Sequence, residues 1–487
     1  MRSTFRGHRM LVLAVLLAVA APALPAADAA TPLSRNPQVA AALEVYDAWA
    51  DWTARNREQP AVSIGIVYDQ ELVWAKGYGF ADLAKKVPAT PATAYRIASI
   101  SKTFTAHSLL QLRDAGRLQL DDPVAKWIPE LKLAKIDPQS PAITIRHLLT
   151  HTAGIPREVD GGYWNDMNFP SREAMLPVLN RMGVVWAPDK EWKYSNVALS
   201  LAGYVVEAAS GEKYADYVSS HILAPLGMTG TRVIPPGDMP TLAVGYGRRV
   251  PGQARRVEPF LNAAYMVPAA NLASTVEDLA KYESLQFRTG PAGGAQILKG
   301  STLAEMQRVH WLQPDWKSGW GLGWGVSRRD DKTRIGHGGS VPGHRTQITM
   351  IPAEKFGVIV LTNAEDGRPS LYANQAIAIV APAIAKAAAA AAGTVAPKTD
   401  PTWQKYVGLY TWEDEAIHVA ILDGKLSLFD TSDDNPWESK VTLEPVSENV
   451  FRMKDGDQAG ETVTFTVDSS GRVTRFEAPG YYLLRAP

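Results

Sequence analysis

The chain of 487 residues has no cysteine, which excludes disulfide staples, a thiolate nucleophile, a cysteine-ligated zinc site and lipid attachment through a thiol. It has no excess of charge of either sign either. Fifty Lys and Arg face 50 Asp and Glu, with no basic block or basic-aromatic stripe, so no nucleic-acid partner is expected. A Walker loop and a G-x-S-x-G nucleophile elbow are both missing. Beyond the N-terminal segment, no run approaches the roughly 20 continuous apolar residues of a membrane span. Stability must therefore come from packing, and 46% hydrophobic residues are enough for the cores of two or more domains.

The first residues read as a secretory signal. Arg2, Arg6 and Arg9 precede the apolar run MLVLAVLLAVAA from Met10, followed by small-residue sites at Ala21-Pro22-Ala23 and Ala27-Asp28-Ala29. We assign residues 1–29 to this signal and expect export, with no stable membrane span after its removal. A disulfide-free exported protein of this size fits a bacterial periplasm. A composition break at AIAKAAAAAAGTVAPKTDP, Ala383 to Pro401, reads as a helix end running into a linker. The main domain is accordingly set at 30–385, the linker at 386–401 and a second domain at 402–487. In that last part apolar and polar residues alternate between turns at Asp423-Gly424, Asp455-Gly456 and Ser470-Gly471, the pattern of a small antiparallel β-barrel or half-barrel. In the main domain, strand patterns from Ala61 and from Gly357 flank a helical middle, which implies one sheet built from both ends of the domain.

Chemistry enters at YRIASISKTFTA, Tyr95 to Ala106. If a helix begins near Ser99, residues three apart share a face, so Lys102 faces Ser99 while Ser101 points elsewhere. The plain alternative is a helix cap followed by a solvated lysine. Two further clusters follow. WKYSNVAL places Tyr194 and Asn196 on a loop entering a helix, and RIGHGGSVPGH places His337, Gly338, Gly339 and Ser340 on a glycine-flanked strand that a substrate backbone could approach. His147 and His151 have the i,i+4 spacing of metal ligands but no third ligand nearby, so a core or capping role is expected and no metal. GWGLGWG, Gly319 to Gly325, reads as a tight strand or turn.

The three clusters, in this order, resemble the S-x-x-K, Y-x-N and K-T-G-like motifs of the serine β-lactamase and penicillin-binding-protein superfamily. The resemblance is to the branch holding class C β-lactamases, D-alanyl-D-alanine carboxypeptidases, D-aminopeptidases and family VIII esterases. ITIRHLLTHTAGIP, LAPLGMTGT and HGGSVPGH resemble its recurrent segments, from about Pro60 to Asn363. The resemblance implies a mixed α/β fold, an antiparallel sheet flanked by helices plus a helical subdomain, with the small antiparallel β domain behind it. It also implies roles: Ser99 as nucleophile, Lys102 and Tyr194 as proton-transfer groups, and Asn196 holding a substrate carbonyl or the lysine. His337, Gly338, Gly339 and Ser340 would form the substrate-binding strand, with the N–H groups of Ser99 and Ser340 as the oxyanion hole. No cofactor is implied.

Two departures bear on substrate. No glutamate held on its own loop near the serine is identifiable. His337 stands where the triplet's lysine would fix a substrate carboxylate, and a histidine with a reference pKa near 6.5 is only partly charged at neutral pH. Carboxylate recognition would then improve on acidification, unless Arg345 supplies the charge. The expectation is an exported serine hydrolase acting on small-molecule or peptide substrates, with ester or amide cleavage ahead of β-lactamase or D-alanyl-D-alanine carboxypeptidase activity. A catalytically idle binder of cell-wall peptides is the alternative from another class.

Overall fold

The computed structural model describes residues 33–391 and 399–486. The signal assigned to 1–29 lies outside them. A nine-stranded sheet carries the main domain, in the order β3-β2-β1-β11-β10-β9-β8-β7-β6. The N-terminal hairpin is β1 (Ala61–Tyr68) and β2 (Glu71–Asp82), extended by β3 (Val87–Pro88). A two-stranded ribbon of β4 (Tyr95–Arg96) and β5 (Ala273–Ser274) lies apart. β6 (Trp311–Leu312), β7 (Ser318–Trp320), β8 (Gly325–Arg329), β9 (Lys332–Val341), β10 (His344–Ile351) and β11 (Phe356–Thr362) complete the main sheet. β1 pairs antiparallel with both β2 and β11, with Ile64 opposite Lys76 and Val360. Both ends of the domain therefore meet in one sheet, as the flanking strand patterns imply.

The sheet separates two cores. Along β1, Val62, Ile64 and Ile66 point to the rear, while Ser63 and Gly65 point to the front, where the Ser63 hydroxyl meets Tyr95 and Gly65 meets Val276. Both faces are covered, so the strand reads as a continuous apolar run. The rear is closed by the helices Pro37–Asn56, capped by the Asn36 side chain, and Pro369–Ala391. By length and composition Pro369–Ala390 could cross a membrane. Here Tyr372, Ile379 and Val380 of that helix are buried in the rear core with Tyr46 and Trp49 of the first helix. The front carries the helical subdomain, including Ser101–Asp114 and Asn196–Ser210.

The C-terminal part is a closed eight-stranded barrel from β12 (Gly408–Trp412), β13 (Glu415–Leu422) and β14 (Lys425–Asp430) through to β19 (Tyr481–Arg485). Its interior packs Tyr410, Phe451, Phe465 and Phe476. It is also joined to the main domain. Ala420, Leu422 and Phe429 belong to the rear core, Trp49 Nε1 donates to Asp433 O at 3.0 Å, and Arg57 pairs with Asp434 at 2.6 Å. The stretch assigned as linker, 386–401, is helical through Ala391 and enters a 3-10 turn at Pro401, and residues 392–398 lie outside the described range. None of the described barrel residues lines the groove beside Ser99, so removing the barrel would expose the rear core without opening that groove.

Candidate active site

The turn ahead of Ser99 is fixed on several sides. Tyr95 and Arg96 pair with β5, and the buried Arg96 guanidinium donates to Leu261 O and to Asn271 Oδ1. Ala98 is held at φ 49°, a left-handed conformation that costs a non-glycine residue on the order of 1–3 kcal/mol. The strain sits one residue before Ser99, in the turn that presents it at the head of the helix Ser101–Asp114. Lys102 Nζ lies 2.9 Å from Ser99 Oγ and 2.9 Å from the carbonyl of Ala269. Ser101 points elsewhere, accepting from the Leu272 N–H at 3.1 Å.

Lys102 is 0% exposed. Burial, with Arg157 adding to it and Glu158 opposing, drives its pKa well below that of a free lysine. Tyr194 stands over the same point, its ring centroid 5.0 Å from Lys102 Nζ and 5.2 Å from the Arg157 guanidinium. Burial pushes its phenol up to about 12, against an opposing pull from the Ser99 hydroxyl and Arg157. The site thus pairs an amine biased toward neutrality with a phenol biased toward its protonated form.

The strand at the site depends on Gly339. A Cβ there would fall 2.2 Å from Ile97 O and 2.1 Å from Thr346 Oγ1, so only glycine lets β9 lie against the turn that carries Ser99. β8 pairs with β9 only from Lys332 to Gly336, which frees the edge from His337 to Val341. The two-residue turn Pro342-Gly343 closes on Val341 and His344. In an antiparallel ladder the next pair, Ser340 and Arg345, turns its N–H groups away from each other, which directs the Ser340 N–H to the open edge.

His337 is not the partly charged group expected from its reference value. It is 6% exposed with Nδ1 against Gly338 O at 2.7 Å, and burial beside Lys102 lowers its pKa to about 3. It is neutral across the ordinary pH range, so acidification to pH 5 would not help it bind a carboxylate. Arg345 lines the groove and donates to the carbonyls of Val341 and His344. Of the two roles expected for Asn196, holding the lysine is not seen: its Nδ2 donates to Glu158 Oε1 at 2.5 Å and its Oδ1 has no partner.

Several groups were not anticipated as site residues. Arg157 and Glu158 follow the segment HTAGIP and reach the site because the Asn196 N–H donates to Arg157 O at 3.0 Å and the Ser195 hydroxyl to Pro156 O at 2.7 Å. Glu158 is thus a loop glutamate in the groove, although its bonds go to Asn196, Tyr163 and Tyr265 rather than to Ser99. His151 and Trp320 pack on Tyr194, at 4.4 and 6.1 Å between ring centroids. His151 Nδ1 also accepts the Ser195 N–H at 3.2 Å, while His147 caps its own helix. GWGLGWG is a tight turn as read, with Gly323 at φ 79° and close to Ala106 of the helix Ser101–Asp114, and it delivers Trp320 to the groove. The groove encloses about 1630 Å³. Among the described residues no group of three His, Asp or Glu is placed to hold a metal.

Residues 45–381 match the family model described as Beta-lactamase. The chain belongs to the beta-lactamase family. The chain is 27% identical over 430 residues to Beta-lactamase-like protein 2 of Dictyostelium discoideum, covering 83% of this chain and 77% of that protein. It is 29% identical over 311 residues to Protein flp of Staphylococcus aureus, covering 62% of this chain and 59% of the other. Among solved structures, the octameric penicillin-binding protein homologue from Pyrococcus abyssi superposes with a TM-score of 0.59 at 24% identity, covering 91% of this chain and 100% of that one. EstCE1, a hydrolase with promiscuous acyltransferase activity, gives 0.59 at 22% identity, covering 72% and 98%. At those identities the superpositions speak for the shared fold, and the family is one of hydrolases.

Proposed function

We propose that this beta-lactamase-family hydrolase is an exported serine hydrolase that cleaves carboxylic ester or amide bonds through an acyl-enzyme on Ser99. The observation that carries the reading is the wholly buried Lys102 amine, 2.9 Å from Ser99 Oγ. A neutral amine can donate to Ala269 O and accept the Ser99 proton on its lone pair, which activates the hydroxyl for attack. As the new ester bond forms and the old bond breaks, the Tyr194 phenol gives its proton to the leaving group and recovers one from Lys102. The N–H groups of Ser99 and Ser340 take the negative charge on the carbonyl oxygen. Water then hydrolyses the acyl-enzyme by the reverse proton path.

We put β-lactam hydrolysis and carboxypeptidase activity behind ester and amide cleavage, a reading supported by the lowered pKa of His337, which leaves it without the charge a free carboxylate would use. Export rests on the signal-like run at residues 1–29. A hydrolysis screen of short acyl esters, amino-acid amides, acyl-D-Ala-D-Ala peptides and a chromogenic cephalosporin tests the function. Ester or amide turnover that vanishes in Ser99→Ala is expected. A cephalosporin turned over faster than every ester and amide would overturn the substrate order, and turnover that survives Ser99→Ala would overturn the mechanism.

A further inference from the structure

Trp320 ends β7 and pairs with Gly325, which in turn pairs with Gly336, so these three form the last rung of the ladder before the free edge of β9 begins at His337. Gly325 leaves room for the indole, whose Cζ3 lies 3.4 Å from where a Cβ would stand. The ring of Trp320 is 6.1 Å from that of Tyr194, 5.6 Å from that of His337 and 5.4 Å from that of Trp192, centroid to centroid, and all four residues line the groove. The wall beside the Tyr194 phenol offers no hydrogen bond. Trp192 Nε1, Trp320 Nε1 and His337 Nε2 are buried without partners, and His337 Nδ1 is taken up by Gly338 O. The two indoles present carbon and π surface, next to an imidazole that burial keeps neutral.

The proton path says which part of a substrate meets this wall. A carbonyl held by the N–H groups of Ser99 and Ser340 must bring its leaving oxygen or nitrogen within hydrogen-bond reach of the Tyr194 hydroxyl. The alcohol or amine portion bonded to that atom continues past Tyr194 to the rings beside it, while the acyl portion leads away on the other side of the scissile bond.

We infer that Trp320 determines the choice of leaving group, and that the alcohol or amine portion it accepts is aromatic, as in an aryl or arylmethyl ester or amide. This rests on the hydrolase reading and deepens it. In acylation Ser99 Oγ bonds to the carbonyl carbon, the bond from that carbon to the arylmethyl oxygen breaks, and the oxygen leaves as the alcohol with the Tyr194 proton. An aromatic ring set offset or edge-on to an indole gains more than an alkyl group burying the same area. A charged leaving group would lose its water against this wall and find no partner in exchange.

The test compares kcat/KM for methyl, cyclohexylmethyl and benzyl acetate, which form the same acetyl-enzyme and differ only in the alcohol released. The wild type should favour the benzyl over the methyl ester by about tenfold or more, and over the cyclohexylmethyl ester by about threefold. Trp320→Ala should lower the benzyl-to-methyl ratio by about tenfold, and Trp320→Phe should keep most of it. Methyl phenylacetate against methyl acetate varies the acyl side instead, and that ratio should not change in Trp320→Ala. A variant that slows every ester by the same factor would show that Trp320 acts only by packing on Tyr194, and would overturn the inference, as would a change confined to the acyl ratio. If Trp320→Ala does not fold, the wild-type order decides, and cyclohexylmethyl acetate cleaved as fast as benzyl acetate overturns it. Ser99→Ala is measured in parallel on methyl acetate. Turnover lost there upholds the hydrolase reading whatever the order of the alcohols, turnover that survives contradicts that reading, and a wild type that cleaves none of the esters contradicts both.

Discussion

The two faces of the main sheet differ in kind. The front holds a wholly buried lysine amine against the Ser99 hydroxyl, with a non-glycine residue at positive φ one position before that serine. The rear, between the helices Pro37–Asn56 and Pro369–Ala391 and the barrel, is mainly apolar packing, with Trp49, Tyr46 and Tyr372 ring to ring and Phe429 beneath them in the same core. One sheet thus bears the costs of reactivity on one side and takes its stability from the other. A fold that concentrates strain in this way needs a quiet region elsewhere to keep the native state populated.

The largest separation of the two faces should come from Ser99→Ala and Trp49→Ala. The first abolishes turnover with Tm nearly unchanged. The second costs about 3–5 kcal/mol of stability, read from denaturant unfolding, while activity per folded molecule is retained. A stability loss of that size in Ser99→Ala, or dead but fully stable Trp49→Ala, would break the division.

Lys102→Met should lower kcat by roughly 10²–10⁴, as for a lost general base, and leave stability equal or higher because a buried amine is replaced by an apolar chain of similar size. Adjacent glycines sharpen the picture further. Gly339→Ala drives a Cβ into Ile97 O and should disable the site, whereas at Gly338 the nearest atom is the movable end of Gln347, 3.1 Å away, and alanine should be tolerated. Comparable kcat/KM values for these two variants would mean that β9 need not touch the turn that carries Ser99.

A further contrast is read in pH, through stability and through substrate preference. His107, His337 and His344 on the front are lowered to about 3, and His418 at the barrel to about 4, each chiefly by burial. A group whose folded pKa lies below its unfolded value of about 6.5 contributes fully above that value and loses its contribution as pH falls toward the folded pKa. Tm should therefore decline from about pH 6.5 downward. The ratio of acid to methyl-ester turnover should stay flat from pH 8 to 5, since His337 does not titrate there. A ratio that rises on acidification over that range would show a charged His337.

Much of this was legible in the sequence because it rests on local spacing. Ser99 and Lys102 three apart on a helix, two-residue alternation in the barrel, and strands at both ends of the domain require no knowledge of distant contacts. The rest depends on what folding brings together. Burial of His337 beside Lys102 lowers its pKa, and no property of RIGHGGS states how deep the strand lies. Glu158 and Asn196 are 38 residues apart and meet only through loop contacts. The barrel alternates like an independent domain, yet Phe429 and Leu422 join a core with helices far upstream, and alternation alone cannot distinguish a docked face from a solvated one.

The central claim is that Ser99, activated by buried Lys102, is the nucleophile of this hydrolase. Intact-protein and peptide mass spectrometry after treatment with a fluorophosphonate tests it most directly. The account predicts a single adduct on the peptide bearing Ser99, formed slowly in Lys102→Met and not at all in Ser99→Ala, with ester turnover lost in step with labelling. An adduct on Ser101, or undiminished turnover in protein fully labelled elsewhere, would contradict it.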